Sequence, residues 1–234
     1  MIQPSFAQIG LLTSDIGIYS SIGRRTYAPA WWVVAGKTCI AAYQPIGAAS
    51  LAASYINLAN PGTYDAAPGV APTFNVATGW TFNGSTQYLL APFVVGAGWS
   101  AIAQITGGNP VAGNREIFGS SDTAVGGFQL IPNYTGGVML SVHGAVNVSK
   151  VPGMTAGNYA LTPNAAYRNG VFDAAITANW SGVAAQPSQC IGAIYTPGGV
   201  SAYWPGNIRA LAIYSGTLTA GEVLAVSTAM AALT

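Results

Sequence analysis

Between Thr73 and Arg209 the apolar runs are short, and glycine, proline or asparagine closes each of them. Gly107-Gly108-Asn109-Pro110, Gly126-Gly127, Gly136-Gly137, Pro152-Gly153 and Pro197-Gly198-Gly199 are the clearest breaks. Short runs separated by turn residues at this spacing predict a β-sandwich of many hairpins. The candidate strands are Gln87–Phe93, Trp99–Thr106, Glu116–Ser120, Gly127–Pro132, Val138–His143, Asn158–Thr162, Ala165–Asn169, Gln189–Tyr195 and Gly206–Tyr214.

Helical signals flank this region. Residues 47–60 carry Leu51, Tyr55 and Leu58 at i, i+4 and i+7 and stop at Asn60-Pro61-Gly62, which predicts a short helix. At the other end Thr219 and Glu222 form a Thr-x-x-Glu capping box. Val223, Val226, Met230 and Leu233 come next at helical spacing, so this helix is expected to lie against a sheet.

Composition narrows the class. Charged residues make up 6% of the 234, against roughly 25% in an ordinary soluble domain. Hydrophobic residues reach 51%, yet no apolar stretch approaches the ~20 residues that a membrane-spanning helix needs. Abundant aromatic and β-branched residues argue against disorder. What remains is a folded domain with a surface of Ser, Thr, Asn, Gln and Gly. Such a surface is cheap to desolvate, which favours packing against copies of the chain or a larger particle. A net charge of +1 and scattered basic residues argue against nucleic acid, since Arg24-Arg25 is the nearest approach to a basic cluster. No membrane insertion is expected.

Residues 1–37 differ in texture and read as an N-terminal arm, with residues 38–234 as the domain. Tyr27, Trp31 and Trp32 are the arm's candidate assembly contacts. Adjacent strand residues face opposite ways, so one tryptophan ring can enter the domain while the other meets a neighbour. Equally, both can cover the same core. Met1–Gly23 has no basic start and is interrupted by Asp15, so it does not read as a signal peptide. The expected location is a virion or extracellular surface, reached by another route such as a released particle. Cys39 and Cys190 either pair or remain two buried thiols.

Three segments resemble the laminin-G-like, concanavalin A-like jelly-roll family of phage and bacterial surface proteins. Trp80-Thr81-Phe82-Asn83-Gly84-Ser85-Thr86-Gln87-Tyr88-Leu89 is similar to its "F-D-G-x-x-D-Y-L" start. Ala166-Tyr167-Arg168-Asn169-Gly170-Val171-Phe172 is similar to its "x-Y-x-N-G-x" hairpin. Gly206–Tyr214 together with Thr217–Val223 is similar to its closing "G-x-I-x-x-x-x-I-Y-x-x-x-L-S-x-x-E-V" signature. The resemblance implies an all-β, two-sheet antiparallel jelly-roll sandwich, with the short helix on the N-terminal side and the second helix at the C-terminus. It also implies a scaffold used for glycan binding, protein binding or structural packing. Asn83 and Gln87 stand where the family is commonly acidic, which weakens any calcium site there.

Chemistry-bearing residues are few. Glycosidases on the related concanavalin-like fold use a pair of carboxylates. The two glutamates are Glu222, explained as a cap, and Glu116, which sits beside Arg115 and is expected to pair with it. His143 is the sole histidine, and with two separated cysteines it does not make an ordinary zinc site. No catalytic residue, metal or cofactor is expected. Sugar binding needs less: aromatic platforms with amide and hydroxyl partners. Tyr195, Tyr203 and Trp204, in one glycine-rich stretch, and Trp180 are the candidates.

The first expectation is a non-enzymatic structural or adhesion module of a multi-subunit particle, such as a phage tail, fibre or decoration protein. Its partners would be copies of itself or other virion or surface proteins, with a glycan as a further ligand. A lectin-like carbohydrate-binding module is the alternative, and a glycoside hydrolase on the same fold the second alternative.

Overall fold

The structure, a computed structural model, describes residues 30–107, 113–122, 126–134, 138–144, 146–150, 156–176 and 188–234, with the backbone alone described over 138–143 and 146–150. Trp31–Thr234 is one compact unit. Of the expected arm, residues 1–29, Tyr27 included, lie outside the described residues.

Along the chain come β1 (Cys39–Tyr43), α1 (Leu51–Ser54), β2 (Ala67–Val70), β3 (Thr73–Asn75), β4 (Gly79–Thr81), β5 (Tyr88–Ala91), β6 (Ser100–Thr106) and β7 (Phe118–Asp122). Next are β8 (Gly126–Tyr134), β9 (Val138–Gly144), β10 (Val146–Lys150), β11 (Gly157–Leu161), β12 (Ala165–Arg168) and β13 (Val171–Ala175). The last elements are β14 (Gln189–Ile191), β15 (Ile194–Thr196), β16 (Gly199–Ser201), β17 (Asn207–Tyr214) and α2 (Ala220–Ala231). Two sheets result. One runs β13-β12-β11-β6-β17-β4-β3, with β1 also on β17; the other runs β10-β9-β8-β7-β14-β5-β2, with β15 and β16 attached beside β7. The ladders are antiparallel apart from a single parallel contact of β15 on β7. The fold is the all-β jelly-roll sandwich that the sequence predicts.

β17 shows how the layers are built. Ile208, Leu211 and Ile213 enter the core between the sheets, while Ala210, Ala212 and Tyr214 enter a second core under α2. The alternation reads as a half-buried strand, but both faces are covered. The alanines leave room for Val223, Val226 and Met230 of α2 to pack against the sheet. A bulge between Ile208 and Ala210 sets Arg209 aside, and its Nη2 donates to the Leu233 carbonyl at 2.9 Å. The capping box forms as expected: Thr219 Oγ1 accepts from the Glu222 amide, and Glu222 Oε2 accepts from the Thr219 amide at 2.7 Å.

Other expectations need correction. The helix over 47–60 shrinks to the four residues of α1, because Asn57 holds the next segment as a loop. Fully buried, its side chain accepts from the Ala42 and Ala59 amides and donates to the Ile40 and Thr63 carbonyls. Leu51 and Tyr55 still pack on the core, but Leu58 is exposed. The strand expected over Gln189–Tyr195 is split into β14 and β15 by Gly192, at φ +80°, where a Cβ would press into the Phe82 ring. Asn169 (φ +50°) and Gly170 (φ +80°) make the expected turn between β12 and β13. Cys39 and Cys190 are both free, one in each sheet. No helix among the described residues is long and apolar enough to cross a membrane.

Candidate functional site

The hairpin of β15 and β16 turns through Pro197-Gly198, with Thr196 opposite Gly199 and the Thr196 hydroxyl donating to the Gly199 carbonyl at 2.9 Å. Tyr195 lies opposite Val200, and the Tyr203 hydroxyl donates to the Val200 carbonyl at 3.0 Å. Both tyrosines thus connect to Val200 of β16, one through strand pairing and the other through its hydroxyl. Tyr88, at the start of β5, joins them with its ring 6.2 Å from that of Tyr203. Its ring lies over Gly69 of edge strand β2, where any Cβ would overlap it. All three tyrosines are half-buried.

Ala202 redirects the chain between the hairpin and the core. Its φ of +52° is a left-handed conformation that a non-glycine residue seldom adopts, and the backbone changes course there before Tyr203. Trp204 then enters the core between the sheets with no exposed surface. Its amide donates to the Gly192 carbonyl and its carbonyl accepts from the Gly84 amide, tying the segment to two loops. Trp204 offers no ring face to a ligand, so it acts here as an anchor.

Arg115 and Glu116 form the base of this edge, and the expected ion pair between them is absent. Arg115 Nη1 donates to the Gly84 carbonyl at 3.0 Å and approaches the Tyr203 carbonyl at 3.5 Å. Glu116 bridges to Tyr203 through the backbone, its amide donating to the Ala202 carbonyl at 2.8 Å. Its side chain is fully buried and lies on Gly119, where a Cβ would overlap Oε2. Neither carboxyl oxygen has a hydrogen-bond partner. Burial therefore pushes the carboxyl pKa well above the usual carboxylate range. Cys190 beside it is raised to about 12, by burial first and by Glu116 second.

Asn83 closes the adjoining loop: its Oδ1 accepts from the Ser85, Thr86 and Gln87 amides, and its Nδ2 donates to Thr86 Oγ1. This is an Asx turn in which the side chain is used by its own backbone. Among the described residues no cluster of three or more His, Cys, Asp or Glu could hold a metal.

The remaining candidates lie elsewhere in the chain. Trp180 is outside the described residues, as is the side chain of His143. Trp31 is buried in the core under α2, and its Nε1 donates to Gln44 Oε1 at 2.7 Å. Trp32 is half-buried and meets Trp31 edge-to-face at 5.5 Å. Both rings therefore pack on this domain, and Trp32 keeps some exposed surface. Tyr88 and Arg115 are the site residues that sequence reasoning missed. Tyr88 reads as part of a strand, and its ring contact with Tyr203 is what links it to this region.

No protein-family model matches the sequence, and no curated protein matches it. Solved structures do. Domain 4 of an extracellular arabinanase from Geobacillus stearothermophilus, in complex with arabinotriose, matches with a TM-score of 0.57 at 14% identity, over 82% of this chain and 98% of that one. A Trypanosoma rangeli sialidase mutant displaying trans-sialidase activity matches with a TM-score of 0.57 at 14% identity, over 82% of this chain but 33% of that one. Botulinum neurotoxin type C, whose cell entry depends on interaction with two ganglioside molecules, matches with a TM-score of 0.56 at 10% identity, over 82% and 51%. The chain thus spans about a third of the sialidase and half of the neurotoxin chain. At these identities the likeness shows a shared fold, a β-sandwich of the jelly-roll, concanavalin-like type.

Proposed function

We propose that this domain is a non-enzymatic carbohydrate-binding module, and that it binds through the edge formed by Tyr88, Tyr195, Tyr203 and Arg115. The observation that carries the reading is the contact of the Tyr88 and Tyr203 rings, with Tyr195 on the hairpin to which the Tyr203 hydroxyl bonds and the Arg115 guanidinium approaching the Tyr203 carbonyl. Aromatic rings cover the apolar face of a sugar, and phenol and guanidinium hydrogens meet its hydroxyls. Two carbonyls engage only Nη1 of Arg115, which leaves its other donors for a ligand. Three proteins of the same fold support the reading by association: an arabinanase domain seen with arabinotriose, a sialidase, and a neurotoxin dependent on gangliosides. None of these three is a virion component, so the lectin-like reading is favoured over the structural one.

Binding without turnover is supported by Glu116. Its carboxyl is fully buried beneath this edge, where burial raises its pKa well above the ordinary value, so it presents no exposed carboxylate to a ligand. The test is a glycan array probed with the full chain, then with folded Tyr195→Ala and Arg115→Ala variants. Defined glycan hits are expected, and both variants should weaken them at least tenfold. No hits, or hits that both variants retain, would contradict the reading.

A further inference from the structure

Arg115 stands at the tyrosine edge with half of its hydrogen-bonding fork uncommitted. Its Nη1 donates to the Gly84 carbonyl at 3.0 Å and lies 3.5 Å from the Tyr203 carbonyl. Among the described residues no acceptor meets its Nε or Nη2. We propose that this edge is specific for an acidic sugar, a hexuronate whose ring carboxylate pairs with Nε and Nη2 of Arg115. The proposal rests on the glycan-binding reading of this edge and adds the charge of the ligand.

The other cationic side chains among the described residues are engaged. Lys37 pairs with Glu222 at 3.6 Å, and Arg168 donates to Asp173 from Nε at 2.9 Å and Nη2 at 2.8 Å. Nη2 of Arg209 goes to the Leu233 carbonyl. The acids are likewise used elsewhere: Asp65 Oδ1 accepts from the Asn57 and Gly62 amides, and the Glu116 side chain lies buried over Gly119. Arg115 is therefore a half-buried cation with no counter-ion among the described residues. A charge partly withdrawn from water and left unpaired gains most from an anionic partner.

The shape of the fork selects the anion. Nε–H and one Nη2–H point the same way in one plane, so they offer parallel bonds to the two oxygens of a carboxylate. Such charge-assisted bonds are roughly twice as strong as bonds to a neutral hydroxyl. A phosphate monoester carries a charge of about −1.5 to −2, of which a single guanidinium balances only part. In a hexuronate the carboxylate projects from the rim of the pyranose ring, roughly in the ring plane. The apolar face of the sugar is thus left for a tyrosine ring, Tyr203 or the Tyr88 ring 6.2 Å from it, while the carboxylate reaches sideways to Arg115. In an α-sialoside the carboxylate is axial and stands off the ring plane, where it competes with stacking.

Trigalacturonate and its methyl ester are the probes, because esterification removes the charge and keeps the sugar. Each is titrated calorimetrically into the full chain at low and high salt, beside sialyllactose and the neutral glycans of the array. Trigalacturonate is expected to bind at least tenfold more tightly than the ester, and salt should weaken the acid more than the ester. Arg115→Gln should bring the two affinities within about twofold of each other. Arg115→Lys keeps the charge without the planar fork and should restore only part of the preference. Equal affinities in the parent, or a preference that survives in Arg115→Gln, would overturn the proposal. The parent comparison needs no variant, so it decides the matter if Arg115→Gln fails to fold. Tighter binding of sialyllactose than of trigalacturonate would overturn the hexuronate assignment. Binding of neutral glycans without any response to trigalacturonate sinks the acidic class alone, whereas failure of every glycan sinks the glycan reading with it.

Discussion

Tyr203 and Trp204 are neighbours in the chain but sit differently: Tyr203 is half-buried with its ring 6.2 Å from that of Tyr88, while Trp204 has no exposed surface at all. Ala202, at φ +52°, sets the course of the chain from which they diverge.

The two positions should therefore respond differently to truncation. Trp204→Ala removes a fully buried ring from the main core and is expected to cost about 3–5 kcal/mol. Tyr203→Ala loses a half-exposed ring and one hydrogen bond, and should cost about 1–2 kcal/mol. Urea midpoints of the two variants check this. Equal losses would mean that Tyr203 is as much a core residue as Trp204.

Glu116 makes stability depend on pH. Its folded pKa is raised above the ordinary value of 4.5 by burial, so the folded state holds the proton more tightly than the unfolded chain does. Its contribution is full below about pH 4.5 and is lost as pH rises from there through the raised folded value. Glu116→Gln keeps the shape and removes the ionisation. The variant should gain stability relative to the parent as pH rises from about 4.5 to about 8, measured by urea unfolding. A constant difference across that range would show that folding does not raise the Glu116 pKa.

Gly119 should be intolerant of a side chain for the same reason. A Cβ there overlaps Glu116 Oε2 and stands 3.2 Å from the Phe128 carbonyl. Gly119→Ala is expected to cost about 1–3 kcal/mol. Combining it with Glu116→Ala should recover part of that loss, because the overlapping carboxyl is gone. Strict additivity in the double-mutant cycle would place the strain elsewhere.

Much of the architecture was legible. The Thr219–Glu222 cap, the Asn169-Gly170 turn and the strand positions depend on local chemistry, which a sequence displays directly. β2 was not legible, because Ala67-Pro68-Gly69-Val70 reads as a turn and is tolerated as a strand only at an edge. Neither was the loop around Asn57, whose four partners lie between 2 and 17 residues away. Tyr195 and Tyr203 were singled out because they lie in one glycine-rich stretch. Trp204 looked like a third platform because nothing in its residue type distinguishes an anchor from a ligand contact. Glu116 looked paired because Arg115 precedes it, yet the guanidinium goes to two carbonyls while the carboxyl lies over a glycine three residues ahead.

Asn57→Ala gives a last structural check. It leaves the Ala42 amide and the Ile40 and Thr63 carbonyls without their partner in a buried setting, and should cost about 2–4 kcal/mol in urea unfolding. A loss below about 1 kcal/mol would mean that water takes over these bonds, and that Asn57 does not organise the loop.

Sugar binding at the tyrosine edge stands or falls on Tyr203. The decisive experiment is a calorimetric titration of the strongest array glycan into the parent chain and into Tyr203→Ala, with thermal unfolding of both alongside. Saturable binding to the parent is expected, with at least a tenfold weaker affinity in a variant that still folds, a loss of about 1.4 kcal/mol or more. Undiminished affinity in the folded variant would contradict binding at this edge.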